Sequence, residues 1–275
     1  MINNLLLTES SDYIMPTRNF SLAYVIMDSI FVIAFVVILF ATKRKVTAFW
    51  ALAGGLLYWI VDFGIFYGAT HSREIFYYTF NNYTNTLTEL GALGVGGVLF
   101  WMSMSYGILD FAFIWLWLSK DKKALEFSTL IVVWWICCPL LADFLNNLIP
   151  TMLCFQTQRT TNKYHGIMGL IMLVGYFIVI ITNIVNKDES KKIPIVRLFI
   201  IGFMAQFLWE FLLLVFGIRS QTYDSDLTRS ISTLLQDSLV ETNLGMPYIY
   251  FIHKAVTSRW DDDLKKKEIV KLKAD

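Results

Sequence analysis

Charge is what this sequence has least of: Asp, Glu, Lys and Arg make up 16% of its 275 residues. A soluble domain of that length needs more to cover its surface. The charges nearly cancel, to a net +1, so nothing draws the chain to a polyanion and no nucleic-acid partner is expected. Cysteine is also rare. Cys137 and Cys138 are adjacent and Cys154 stands apart, which gives no disulfide framework. The three histidines, His71, His165 and His253, are scattered. With no pair at a ligand spacing, no metal is expected, and no cofactor. The run Leu5-Leu6-Leu7 is too short for the apolar core of a cleavable signal peptide.

What fills the chain instead is apolar. Hydrophobic residues make up 56% of it and aromatic residues 16%, the composition of a polytopic membrane protein with interfacial aromatic belts. Seven runs are candidates to cross a bilayer: about 21–42, 47–68, 91–118, 125–148, 165–186, 198–217 and 239–254. The expected fold class is all-α, a seven-helix membrane domain over 21–255. An extracytoplasmic segment, 1–20, precedes it, and a cytoplasmic tail, 256–275, follows. Basic clusters fall at 43–45, 120–123, 187–192 and in the tail, all on one side if the spans alternate. The positive-inside rule makes that side cytoplasmic, with the N-terminus outside. The outer loops, 69–90 and 218–236, are long. A short surface helix is expected over 222–236. Asn19-Phe20-Ser21 and Asn82-Tyr83-Thr84 are glycosylation acceptor triplets.

The second and third spans resemble the sixth and seventh. WIVDFGIFYG precedes a long outer loop and then MSYGILDF; FLWEFLLLVFG precedes a long outer loop and then TNLGMPYI. Asp62 aligns with Glu210 and Gly107 with Gly245. One more span precedes each pair, which leaves the fourth as a linker. The expected arrangement is a parallel three-plus-one-plus-three repeat, related by an axis along the membrane normal.

An ionisable side chain within a span is costly and faces a bundle interior or a cavity. At 1.5 Å per residue, Asp28, Asp62, Asp143, Glu210 and Glu241 all fall in the outer half, with Asn243 beside Glu241. Asp110 lies deeper. Five acids on five helices point to a polar cavity toward the outer leaflet. Desolvation and mutual repulsion there would leave one or more of them protonated at neutral pH, and a neutral carboxylic acid in a cavity is a proton donor.

Over 203–254, Trp209-Glu210 and ETNLGMPYIYFIHK carry a pattern that resembles the small integral-membrane terpene cyclases of fungal meroterpenoid and indole-diterpene pathways. The resemblance implies a metal-independent isomerase or lyase that protonates a prenylated, epoxidised substrate and cyclises it. Ring faces would stabilise the cations that form. It implies Asp62 and Glu241 as catalytic acids, with Glu210 as a further one. Tyr106, Trp209, Trp59, Asn243, Asp143 and Asp28 are expected to line the substrate cavity. The chain departs from the family's pattern in two ways. Its Trp-Glu pair is in the sixth span rather than the second, where Trp59 stands three residues before Asp62. The acid types at the two catalytic positions are also exchanged. The rival readings are a small-solute transporter, possibly proton-coupled, using the same cavity, a retinal protein, and a receptor or structural membrane protein. The seventh span lacks a mid-helix lysine, which argues against a retinal protein.

Overall fold

A computed structural model describes residues 16–80, 88–149, 152–159, 164–189, 192–221 and 227–258. Asn82 and the tail beyond 258 lie outside them. The chain begins with strand β1 (Pro16–Ser21) and helix α1 (Leu22–Ala41). Helix α2 (Lys45–Trp59) continues as π-helical turns over Ile60–Ala69. Strands β2 (Arg73–Phe80) and β3 (Thr88–Glu89) follow, then α3 (Ala92–Leu118) and α4 (Ala124–Leu148). Strand β4 (Met152–Arg159), α5 (His165–Val185), α6 (Ile195–Val215) and β5 (Arg219–Gln221) come next. The described chain closes with α7 (Leu227–Val240) and α8, 246–258.

Six of these helices are long and apolar enough to cross a membrane. Their outward faces carry unpaired apolar side chains such as Ile30, Ile33 and Val37, which suit lipid. Local chemistry sets their ends. The Ser21 side chain accepts from the Tyr24 amide at 3.2 Å and caps α1. Gly217, at φ 66°, takes the left-handed conformation that stops a helix, and α6 gives way to β5 there.

The run expected as one seventh span is divided. α7 ends at Val240, turns occupy 241–245, and α8 follows. The thirteen residues of α8 rise about 20 Å, short of the roughly 30 Å of a bilayer core. The short helix expected over 222–236 is α7, displaced toward its C-terminus.

The loops expected on the outer side contribute strands to one sheet. Its strand order is β3-β2-β4-β1-β5, and every pairing is antiparallel. These strands join the ends of α2, α4 and α6 and the starts of α1, α3 and α5, so the sheet covers one end of the bundle. The clusters at 43–45 and 120–123 lie at the other end. There Arg44 grips Asp121 through Nε at 3.0 Å and Nη2 at 2.8 Å. Burial pushes the Asp121 carboxyl up, but Arg44 and the Lys123 amide outweigh it, and the group titrates below its ordinary value.

The tightest helix contact joins α2 to α3. A Cβ on Gly107 would stand 2.7 Å from the Gly55 Cα, and one on Gly54 would fall inside the Phe111 ring. Small residues here let the backbones approach, and the Tyr58 and Tyr106 rings pack edge to face beside them, 4.9 Å apart.

Candidate active site

Four arginines on the sheet point into the bundle. Arg73 and Arg159 are direct partners across β2 and β4, and Arg18 and Arg219 across β1 and β5. Like charges directly opposite destabilise a sheet. Four carboxylates beneath offset them. Asp62, on the π-helical turns of α2, takes Arg73 Nη2 at 2.8 Å. Glu210, near the end of α6, takes Arg18 Nη2 at 2.5 Å and Arg219 Nη1. Asp237, on α7, takes Arg159 Nη2 and Arg219 Nη2 from one oxygen, each at 2.5 Å. Glu241, in the turn after α7, takes Arg159 Nη1 at 2.9 Å.

Neutral donors complete the carboxylates. Ser103 Oγ donates to Asp62 at 2.9 Å, and Tyr106 donates to the same oxygen. Gln206 Nε2 donates to Glu241 at 2.9 Å and to Glu210 at 3.3 Å, while its own carbonyl accepts from Thr242 at 2.9 Å. His165 Nε2, at the start of α5, lies 3.4 Å from Asp237 and 3.9 Å from Glu241. Burial and the adjacent Arg159 push the Arg219 guanidinium down to about 10, which keeps it charged at neutral pH. At Arg159 burial works against charge, and Glu241 and Asp237 more than offset it. The expected crowd of mutually repelling acids is thus a balanced ion-pair network, four cations against four anions. Ion pairing favours the ionised carboxylate.

Beneath this charged roof lies a cavity of about 290 Å³. Arg18, Arg73, Arg159, Asp62 and Glu241 meet it at the roof. Lower down, Tyr58, Tyr106, Phe111 and Trp209 give it an aromatic wall, and Phe66 packs beside Arg73 at the roof. Leu57, Tyr248 and Ile252 also line it, and these are 53%, 37% and 43% exposed on the bundle's apolar flank. The cavity therefore reaches the lipid-facing surface between α2 and α8.

Of the residues expected at the site, the structure brings Asp62, Tyr106, Trp209 and Glu241 onto this cavity. Glu210 is fully buried behind the roof. The others are elsewhere. Trp59 donates to the Gly96 carbonyl at 3.3 Å and stacks on Phe63. Asn243 is buried against α6, where it fills the space over Gly202. Asp143 is exposed on the apolar flank of α4. Asp28 accepts from the Trp101 and Trp134 indoles at 3.2 and 3.1 Å and borders a separate groove of about 460 Å³. Depth alone grouped these acids; helix rotation separates them. Asp110 is buried with neither oxygen hydrogen-bonded.

Sequence reasoning passed over Arg18, Arg73, Arg159, Arg219, Asp237, His165, Gln206 and Thr242. A signal was present: the four arginines stand in segments assigned to the outer side, against the positive-inside trend. Among the described residues, His165, Asp237 and Glu241 place ligand atoms within 4.8 Å of one another. Arg159 already bonds both carboxylates, so a cation held there would face its guanidinium. No family model, curated protein or solved structure matches the chain.

Proposed function

We propose that this chain is a multi-pass membrane enzyme that admits a prenylated, epoxidised molecule from the bilayer and cyclises it after protonation. The cavity carries the reading: a lipid-reachable, aromatic-walled space with Asp62 and Glu241 at its polar end. Aromatic faces stabilise the carbocations of such a reaction, and the resemblance at 203–254 points the same way. Burial raises the Glu241 carboxyl, but Arg159 and His165 more than offset it and hold it well below the ordinary carboxylate range, so Glu241 serves as the donor only once Arg159 turns to the bound substrate. Glu241 neighbours His165, which is partly exposed and can pass a proton inward. Glu241 then delivers that proton to the substrate's epoxide oxygen or alkene carbon. Asp62 accepts from Arg73, Ser103 and Tyr106. It stabilises the cation and takes the terminal proton, so the product has the substrate's mass.

Seven segments cross or enter the membrane in this reading, α8 being the last. The N-terminus and the sheet are extracytoplasmic and the C-terminus cytoplasmic, because the basic clusters at 43–45 and 120–123 lie opposite the sheet. The three-plus-one-plus-three repeat is part of the proposal. Strand, helix, helix, strand, helix recurs on either side of α4. Arg18, Asp62 and Arg73 hold the places in the first unit that Arg159, Glu210 and Arg219 hold in the second.

The test is to supply epoxidised prenyl compounds to membranes carrying the protein and to look for cyclised isomers of unchanged mass. Glu241→Gln and Asp62→Asn are expected to lower turnover by about 10² to 10⁴. Parent-rate cyclisation by both variants would overturn the assignment. Movement of a solute across vesicles without conversion would establish the transporter instead. Tags at both termini, probed by protease from each side, test the topology. Tags that report the same side would refute it.

A further inference from the structure

The roof of the cavity specifies the head group of what it holds. Of the charged residues that line the cavity, three are cations, Arg18, Arg73 and Arg159, and two are anions, Asp62 and Glu241. Glu210 and Asp237 stand behind, fully buried, with Arg219. The network is neutral as a whole, yet the face it turns to the cavity carries one positive charge in excess. The donor inventory agrees. A guanidinium has five N–H donors and no acceptor. Arg18, Arg73 and Arg159 are 5%, 4% and 6% exposed, and the Nε of each is buried without a hydrogen-bond partner. Those Nε atoms are closed off from the cavity, but the three guanidiniums that line it, on adjacent strands, suit a group with several lone pairs and no protons to give.

We propose that the cavity binds an amphiphile with an anionic oxygen head, a carboxylate or a phosphate, seated against Arg18, Arg73 and Arg159, with its apolar tail among the aromatic rings below. The inference rests on the cavity being the substrate site, and it narrows that substrate to an acid. Guanidiniums bind carboxylate and phosphate through paired, charge-assisted hydrogen bonds. An ammonium head would meet the excess positive charge. An alcohol has one oxygen for three donors and adds a proton of its own. The volume of about 290 Å³ is that of roughly ten water molecules, which limits the tail it encloses to a short chain, the remainder extending past Leu57 and Ile252 into lipid.

Native mass spectrometry of the detergent-solubilised full chain decides this. The probes are decanoate, decyl phosphate, decanol and decyltrimethylammonium, which share a tail and differ in head. Decanoate or decyl phosphate is expected to bind at least about tenfold more tightly than decanol, and the ammonium most weakly. Whichever acid binds better identifies the head as carboxylate or phosphate. Arg73→Lys keeps the charge opposite Asp62 and removes the guanidinium fork; it should cost decanoate about tenfold and leave decanol unchanged. Decanol binding as well as the acids, the ammonium binding best, or Arg73→Lys leaving decanoate unaffected would each overturn the head-group assignment while the cavity stands as a ligand site. Failure of all four probes to bind would remove the cavity reading as well.

Discussion

Arg159 ties the carboxylates of the network to one another. It bonds Asp237 and Glu241 together and comes within 4.0 Å of Glu210. Replacing one partner of a buried pair costs far more than the pair contributes, because the survivor is left uncompensated. Arg159→Met is therefore expected to destabilise the fold by about 3–5 kcal/mol, read as a lower unfolding midpoint in detergent. Arg159→Met combined with Asp237→Asn and Glu241→Gln should recover part of that loss, since it removes the stranded charges too. Asp62, Glu210 and Glu241 were legible in the sequence because a carboxyl in an apolar run stands out; Asp237, in a polar stretch, was not. Nor were their partners, because an arginine in a polar loop is unremarkable until the loop folds back over the bundle.

At the level of elements, the α2–α3 contact is set by absent side chains. Gly107→Ala places a methyl 2.7 Å from the Gly55 backbone, which cannot yield as a flexible side chain would. A loss of about 1–3 kcal/mol is expected. Gly97→Ala, on the same helix with open space around it, is the control and should be neutral or stabilising by up to about 1 kcal/mol. The tie between Arg44 and Asp121 predicts a pH dependence. The Asp121 carboxyl is depressed in the folded state, so its contribution is present above the unfolded value of about 4 and is lost as pH falls through the lower folded one. The protein should exceed Asp121→Asn in stability by up to about 1 kcal/mol above pH 5, and the gap should close toward pH 2. Thermal melts of both across that range measure it. The helices were legible because twenty apolar residues in succession admit few other structures. The sheet was not. β1 and β4 pair residues more than a hundred positions apart in the chain, no hairpin turn announces them, and their burial does not alternate cleanly along β4.

For the molecule as a whole, six long apolar helices followed from composition, while the seventh expected span is divided between α7 and α8. How the halves are joined did not follow. Arg18 of β1 bonds Glu210 of α6, and Arg159 of β4 lines the same cavity as Asp62 of the π-helical turns. These charges join what apolar packing also joins, Tyr106 of α3 stacking on Trp209 of α6 within one continuous core. The sheet that carries those charges also lies across the end of the bundle nearest the cavity, while Leu57, Tyr248 and Ile252 leave the flank open. A substrate that arrives by the flank is dissolved in lipid before it is bound. Its effective concentration is then a mole fraction in two dimensions, not a molarity. Adding inert phospholipid at fixed total substrate and fixed enzyme should slow turnover in proportion to the dilution of the surface, whereas changing the buffer volume should leave it alone. Reconstituted vesicles at several lipid-to-substrate ratios measure this, and a rate that followed aqueous concentration would place the doorway in the sheet.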